Sequence, residues 1–392
     1  MKDSGKEDII FDRVVNGLAR SVLIKGEQRE PRKDVRALLE AENEVAAILM
    51  RHEGVCFSVY GENMIIPVLI KAFGAQGLLE LLDQGAVKFW LQKSAVLYVA
   101  EPKKGLMPLV SSALNTPTHC EPDASVAEAF NRSVRTYESK FLRKLKQALA
   151  DSYVDPGSSF APHAVEFGHE GYKLGRFGFA GLTPEVPLEE LGNEAKQRLA
   201  NLAQEMHDLS LIANLRMNTV DEFAIARVCH DSIDRLHRGA RIERAYNRVF
   251  QIEGVPDLTE LFRSRELDVR KVPKLRLKQD ARKFRTWIRT ATADAYSGDI
   301  SVEYLKAISE KRGFLASKGG RLVKTLTVSA LTGGLGSYLA GPVGTLVGAA
   351  APSVLDATMD LIDEFILGGI LSGWQPRSYF DNVVYPRRDR PI

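Results

Sequence analysis

The 392-residue sequence predicts an α+β chain that is predominantly helical: a small mixed α/β N-terminal region, then a helical region with a glycine-rich apolar helical hairpin near the C-terminus. Three observations carry this expectation. Runs rich in β-branched and aromatic residues, "VCFSVY", "AVKFWL" and "AVLYVA", lie within the first hundred residues. Apolar residues recur at helical spacing through most of the chain after Leu188. Finally, "TLTVSALTGGLGSYLAGPVGTLVGAAAPSVL", from Thr325 to Leu355, carries no charged side chain although 26% of the sequence is charged.

The elements are expected in this order. "RKDVRALLEAENEVAAILMRHEG" sets Val35, Leu38, Leu39, Val45, Ile48 and Leu49 near a helical period, with Gly54 as the stop. "VCFSVY" reads as a strand. "NMIIPVLIKAFGAQGLLELLDQG" reads as two short helices separated around Gly74 and ended by Gly85. "AVKFWL" and "AVLYVA", separated by "QKS", read as a hairpin. Ser125 and Glu128 have capping-box spacing and are expected to open a long helix to about Ala150. The stretch "DPGSSFAPHAVEFGHEGYKLGRFGFAGLTPEVP" is dense in Gly and Pro and reads as a connector or functional loop. Beyond it, helices are expected over "PLEELGNEAKQRLANLAQEMHDLSLIANL", after a Thr219–Glu222 capping box, and over "RIERAYNRVF", "DLTELFRS", "KQDARKFRTWIRTATADAY" and "SVEYLKAISEKR".

Length favours more than one domain. The expected division is a mixed α/β domain at 1–155, a Gly/Pro-rich connector at 156–187, a basic helical region at 188–324, and the apolar hairpin with an amphipathic helix at 325–392. A hydrophobic share of 45% matches a folded chain and excludes the disordered class. The three cysteines Cys56, Cys120 and Cys229 are scattered and odd in number, which suits a reducing compartment and excludes a Cys-rich zinc module. The start "MKDSGKEDIIFDRVV" has no apolar core of a secretory signal. The expected location is cytoplasmic, with peripheral or inducible membrane association.

The net charge of +3 conceals an asymmetry, because Arg263 to Lys324 holds seventeen Lys or Arg against seven Asp or Glu. That block runs into the neutral stretch. Each Leu or Val at a membrane centre favours insertion by about 0.3–0.6 kcal/mol, so its ten supply roughly 3–6 kcal/mol before Gly, Ser, Thr and Pro subtract. Insertion is therefore marginal. Gly344 and Gly348 form GxxxG, Ser337 precedes Gly341 by four, and Pro342 divides the stretch into two arms that small residues allow to pack closely. "PSVLDATMDLIDEFILGGILSGW" then reads as an acidic amphipathic helix opened by Ser353 and Asp356, suited to pairing with the basic block.

Four groups of residues could carry chemistry. Arg282, Lys283, Arg285 and Arg289, interleaved with Phe284 and Trp287, suit lipid headgroups or other phosphates, although Phe284, Trp287 and Ile288 gather on one helical side as core residues do. His230, Asp234 and His237 at i, i+4 and i+7 share a helical face and could hold a divalent metal. His163, Glu166, His169 and Glu170 could act as acid and base, but Gly168 and Gly171 are expected to prevent a regular helix there. Gly341, Gly344 and Gly348 could mediate helix association or insertion. No GxxxxGK[ST], dinucleotide fingerprint or HExxH occurs, and no cofactor is expected.

The combination points to a non-enzymatic membrane-associating or membrane-perturbing protein, effector-like in the manner of toxins or antiviral defence proteins. Its hairpin would be metastably stored, its partners an anionic membrane surface and further copies of itself. The alternatives are a soluble metal-dependent or hydrolytic enzyme using 163–170 or the 230–237 face, and, less favoured, a nucleic-acid-binding protein using 263–324.

Overall fold

A computed structural model describes residues 8–24, 31–100, 107–131, 138–228, 233–292 and 374–385, without the side chains of 31–33 and 233–237. The chain divides into two units, Met1–Ala240 with Asp268–Pro273, and Arg241–Leu267 with Lys274–Ile392.

In the first unit, β1 (Ile9–Asp12) leads through α1 (Val15–Leu23) and α2 (Pro31–Arg51) to β2 (Gly54–Val59). Helix α3 (Ile65–Asp83) then returns the chain to β3 (Val87–Leu91). These strands pair in parallel in the order β1-β2-β3, with Ile10 opposite Val55 and Phe57 opposite Phe89. Their sequences are apolar almost throughout because parallel strands joined by helices are covered on both faces. Phe11, Cys56 and Trp90 share one buried cluster with residues of later helices. Alternation along the strand turns Phe57 and Phe89 to the other face, where their rings stack at 6.1 Å.

The expected two-part helix appears as α3, kinked at Gly74 (φ 77°, ψ 158°), and Gly85 follows it with φ 65°. The expected hairpin does not form. β4 (Ser94–Tyr98) leaves the parallel sheet and pairs antiparallel with β5 (Leu109–Ala113). Gln92 and Lys93 lack the positive-φ residues that a two-residue hairpin turn requires, and β3 already has β2 on one side. Its other side takes β6 (Tyr153–Val154), which completes the sheet order β1-β2-β3-β6.

Between β5 and β6 lie α4 (Pro117–Cys120), α5 (Pro122–Asn131) and α6 (Ser139–Asp151). Ser125 sits inside α5, buried, and donates to the Gly61 carbonyl at 2.6 Å, so it does not cap the helix. Residues 156–187, read as a connector, hold α7 (Ala161–Lys173), a regular helix within the first unit. The glycines expected to break it instead allow close packing. A Cβ on Gly168 would lie 2.9 Å from Leu109 of β5, and one on Gly171 would lie 2.4 Å from the Phe177 ring. α8 (Asn193–Asn214) packs on α7, β4 and β5. After it the chain runs beside β1, Phe11 N donating to Asn218 O and Asn218 N to Ile9 O, each at 2.8 Å. Thr219 accepts from Asp221 N at 3.1 Å in a turn, where a capping box was expected.

α9 (Ile233–Glu253) continues into the second unit, which also contains α10 (Leu258–Arg263), capped by Asp257. α11 (Val272–Leu275), α12 (Gln279–Ala291) and α13 (Arg377–Tyr379) follow, with a π turn at Phe380–Val384. Among this unit's described residues, aromatic rings pack together in the interior: Phe284 and Tyr379 stack at 4.2 Å, and Phe250 meets Phe380 at 4.9 Å. The helix expected over "SVEYLKAISEKR", the apolar hairpin and the acidic amphipathic helix lie outside the described residues.

Candidate functional site at the carboxyl edge of the sheet

Parallel strands end together, and the loops that leave their carboxyl ends gather polar side chains around a common edge. At the end of β1, Asp12 Oδ1 accepts from Val14 N at 3.1 Å and Val15 N at 2.9 Å, which satisfies amides where α1 begins. Burial nevertheless pushes its carboxyl up to about 6, with Asp221 adding to the rise.

Arg13 follows. Its guanidinium lies 4.0 Å from Glu205, 3.8 Å from Asp208 and 3.5 Å from Asp221, donates to the Glu222 carbonyl at 3.3 Å, and rests over the Phe223 ring. Glu205 also accepts from Ile225 N at 2.9 Å and so starts the 3-10 turn Ala224–Arg227. Burial raises the carboxyls of Glu205 and Asp221 even though Arg13 pulls both down. One arginine thus joins β1, α8 and the segment after it.

At the end of β2, Arg20 pairs with Glu62 and donates to the Tyr60 carbonyl at 2.9 Å. His119 Nδ1 lies 2.6 Å from Thr116 Oγ1 with its ring edge-on to Tyr60, and burial lowers its basicity. At the ends of β3 and β6 the surface opens into a cleft of about 410 Å³. Trp90 and His207 line it, their rings 5.5 Å apart. The His207 Nδ1 lies 3.3 Å from Asp208 Oδ1 and 3.2 Å from Gln204 Nε2, linking the cleft to the Arg13 cluster.

Tyr153 forms another wall. Its hydroxyl accepts from Asn63 at 2.9 Å and lies 3.1 Å from Ser125 Oγ, while burial holds the phenol up at about 12. On the rim, Lys93 donates to Asp155 at 2.7 Å, which draws that carboxyl below its ordinary range. Asp155 also accepts from Gly157 N at 2.9 Å, and Gly157 turns the chain with φ 73° toward α7.

The residues expected from sequence to carry chemistry are distributed differently. His163, Glu166, His169 and Glu170 lie along α7, where His163, Glu166 and Glu170 are exposed and Glu170 pairs with Lys173 at 3.0 Å. His169 is half-buried and made less basic by burial. Among the described residues, no three His, Cys, Asp or Glu side chains are placed to hold a metal ion. His230 lies outside the described residues, and Asp234 and His237 fall in α9 where only the backbone is described.

On α12, Arg282 is exposed, and Lys283 and Arg289 are half-buried. Arg285 departs from expectation: it is 5% exposed and donates to the Arg276 carbonyl at 3.2 Å, so it does not face a headgroup. Phe284, Trp287 and Ile288 are buried, as their shared helical side indicated. Gly341, Gly344 and Gly348 lie outside the described residues.

Asp12, Arg13, Trp90, Lys93, Asp155, His207 and Asp208 share no spacing in the sequence that marks them as one site. The available signal was "DPGSSF", a strand-to-helix turn with Gly and Ser whose sequence position resembles that of a ligand loop. No family model matches the chain, and no curated protein or solved structure matches it.

Proposed function

We propose that this protein is a membrane-associating, effector-like protein that engages anionic headgroups through α12 and lipid through the uncharged stretch 325–355. That stretch is the observation carrying the reading: thirty-one consecutive residues without charge, directly after a block with ten more cations than anions. Its composition is apolar enough to enter hydrocarbon and dilute enough in Gly, Ser and Thr to stay soluble beforehand. Exposed Arg282 and the half-buried Lys283 and Arg289 supply cations. Each can contribute about 1 kcal/mol near an anionic surface. Gly341, Gly344 and Gly348 provide a close-packing stripe for self-association.

A second feature is apolar enough to compete for this role. Among the described residues α3 is the one helix long and apolar enough to cross a membrane by composition. It is buried along most of its length within the first unit and kinked at Gly74, which favours a core role.

The test is flotation of the full chain with neutral phosphatidylcholine vesicles and with vesicles containing phosphatidylserine. Flotation with the anionic vesicles, lost on deleting 325–355 and weakened by R282A/K283A/R289A, is expected. A chain that remains unbound with both compositions overturns the reading.

A further inference from the structure

We infer that the cleft between the ends of β3 and β6 binds a small phosphomonoester carrying a flat ring, the chemical class of a mononucleotide. Two side chains on its wall point to a ligand. Trp90 is 6% exposed and His207 is 1% exposed, yet both line the cleft. Among the described residues the indole Nε1–H of Trp90 donates to no protein group. Among the described residues His207 is engaged through Nδ1, and its Nε2 bonds to no protein group. Neither nitrogen is sealed from solvent, so on two otherwise buried rings that line the cleft these atoms stay open to water and can exchange it for a ligand's polar groups.

The rest of the wall specifies charge and shape. Several side chains on the wall can donate: the Trp90 N–H, the Lys93 ammonium and the hydroxyls of Ser94, Ser158 and Ser159, of which Ser94 and Ser159 bond each other at 2.9 Å. Helix α7 begins beside them without a side-chain cap, so the amides of Ala161 and His163, Pro162 having none, and the positive end of its dipole add to the set. Among the described residues Asp155 is the one acidic side chain on the wall, and Lys93 offsets it at 2.7 Å. A donor-rich rim of this kind suits a phosphate.

The Tyr153 ring, fixed by its hydroxyl accepting from Asn63 and donating to Ser125, and the Phe160 ring give apolar surface for a flat group. A volume of about 410 Å³ falls among small-molecule pockets of roughly 300–1,000 Å³. The position outside the carboxyl ends of parallel strands is the place where open α/β sheets hold ligands. All of these residues belong to the first unit, so the inference stands independently of any lipid binding.

Calorimetric titration of the full chain with adenosine and cytidine monophosphates, and with adenosine and inorganic phosphate as separate arms, tests it. One-site saturable binding of a monophosphate, at least about tenfold tighter than either part alone, is expected. K93A should weaken the monophosphate about tenfold while leaving adenosine unchanged. W90F, which keeps a ring and removes the N–H, should weaken the monophosphate and leave adenosine unchanged. The exposed-site variant S159A serves as a second probe of the phosphate seat if W90F melts early, and it should weaken the monophosphate alone. The inference is overturned if neither monophosphate saturates folded protein at millimolar concentration, or if K93A and S159A bind it as the parent does.

Discussion

Asp12 carries two opposing influences, and burial outweighs the amides of Val14 and Val15, leaving its carboxyl at about 6 against an ordinary 3.8. A raised carboxyl means that the folded chain holds a proton which the unfolded chain releases between about pH 4 and 6. Stability therefore falls as pH rises through that window, and the ionised group costs stability at pH 7. Asp12→Asn keeps an oxygen for both amides and removes the charge. It should stabilise the protein by on the order of 1–3 kcal/mol at pH 7 and by little at pH 4, read by urea denaturation at both pH values. An identical pH slope in variant and parent would exclude this account. Arg13 has the complementary role: Arg13→Met leaves Asp208, Glu205 and Asp221 facing one another with their counter-charge gone, and should cost about 2–3 kcal/mol in the same assay. Neither residue was legible in the sequence. Arg13 and Glu205 are separated by most of the first unit, and no spacing rule relates side chains that only the sheet edge brings together. The His and Glu of 163–170 were visible as a local group, but they lie along α7 with His163, Glu166 and Glu170 exposed and only His169 half-buried, away from the sheet edge.

Glycine decided most of what was legible among the elements, and it did so by two different mechanisms. At Gly74 the backbone lies at φ 77° and ψ 158°, which an L side chain strongly disfavours, and a Cβ there would meet nothing within 4 Å. Gly74→Ala should thus destabilise by about 1–3 kcal/mol through the backbone alone. This is why the break in α3 was readable: the conformational need is local. At Gly171 the φ is helical and the constraint is external, a Cβ meeting the fully buried Phe177 ring at 2.4 Å. Gly171→Ala should cost about 1–3 kcal/mol by overpacking, despite alanine's better helix propensity. Gly178, with open space around it, should accept alanine almost neutrally. Thermal melts of the three variants check the pattern, and a Gly171→Ala protein as stable as Gly178→Ala would show that Phe177 moves aside. A packing glycine and a helix-breaking glycine are identical in sequence, so α7 was read as a connector. The strand pairs failed similarly: β3 and β4 were each recognisable, but whether neighbours in sequence are neighbours in a sheet depends on β5 and β6, which lie further along the chain.

At the scale of the whole molecule, two apolar segments of opposite expected roles can be separated by one charge in each. Helix α3 has the greater apolar density, and Leu79 on it is 2% exposed, so Leu79→Lys places an ammonium in the core of the first unit without a partner. That variant should lose soluble, cooperatively melting protein. The neutral stretch has far less in reserve: its Leu and Val supply roughly 3–6 kcal/mol toward insertion, and a single central Lys costs about 2.5–3.5 kcal/mol in addition to the leucine it replaces. Leu346→Lys is therefore large enough to cancel most of the driving force for entering lipid. It should abolish flotation with phosphatidylserine vesicles while the melting transition of the chain stays within a few degrees of the parent. If Leu346→Lys instead melts early or aggregates as Leu79→Lys does, then 325–355 belongs permanently to a protein core, and hydrocarbon never competes for it. If it melts normally and still floats, the basic residues of α12 suffice for binding at the surface and insertion has no part in it.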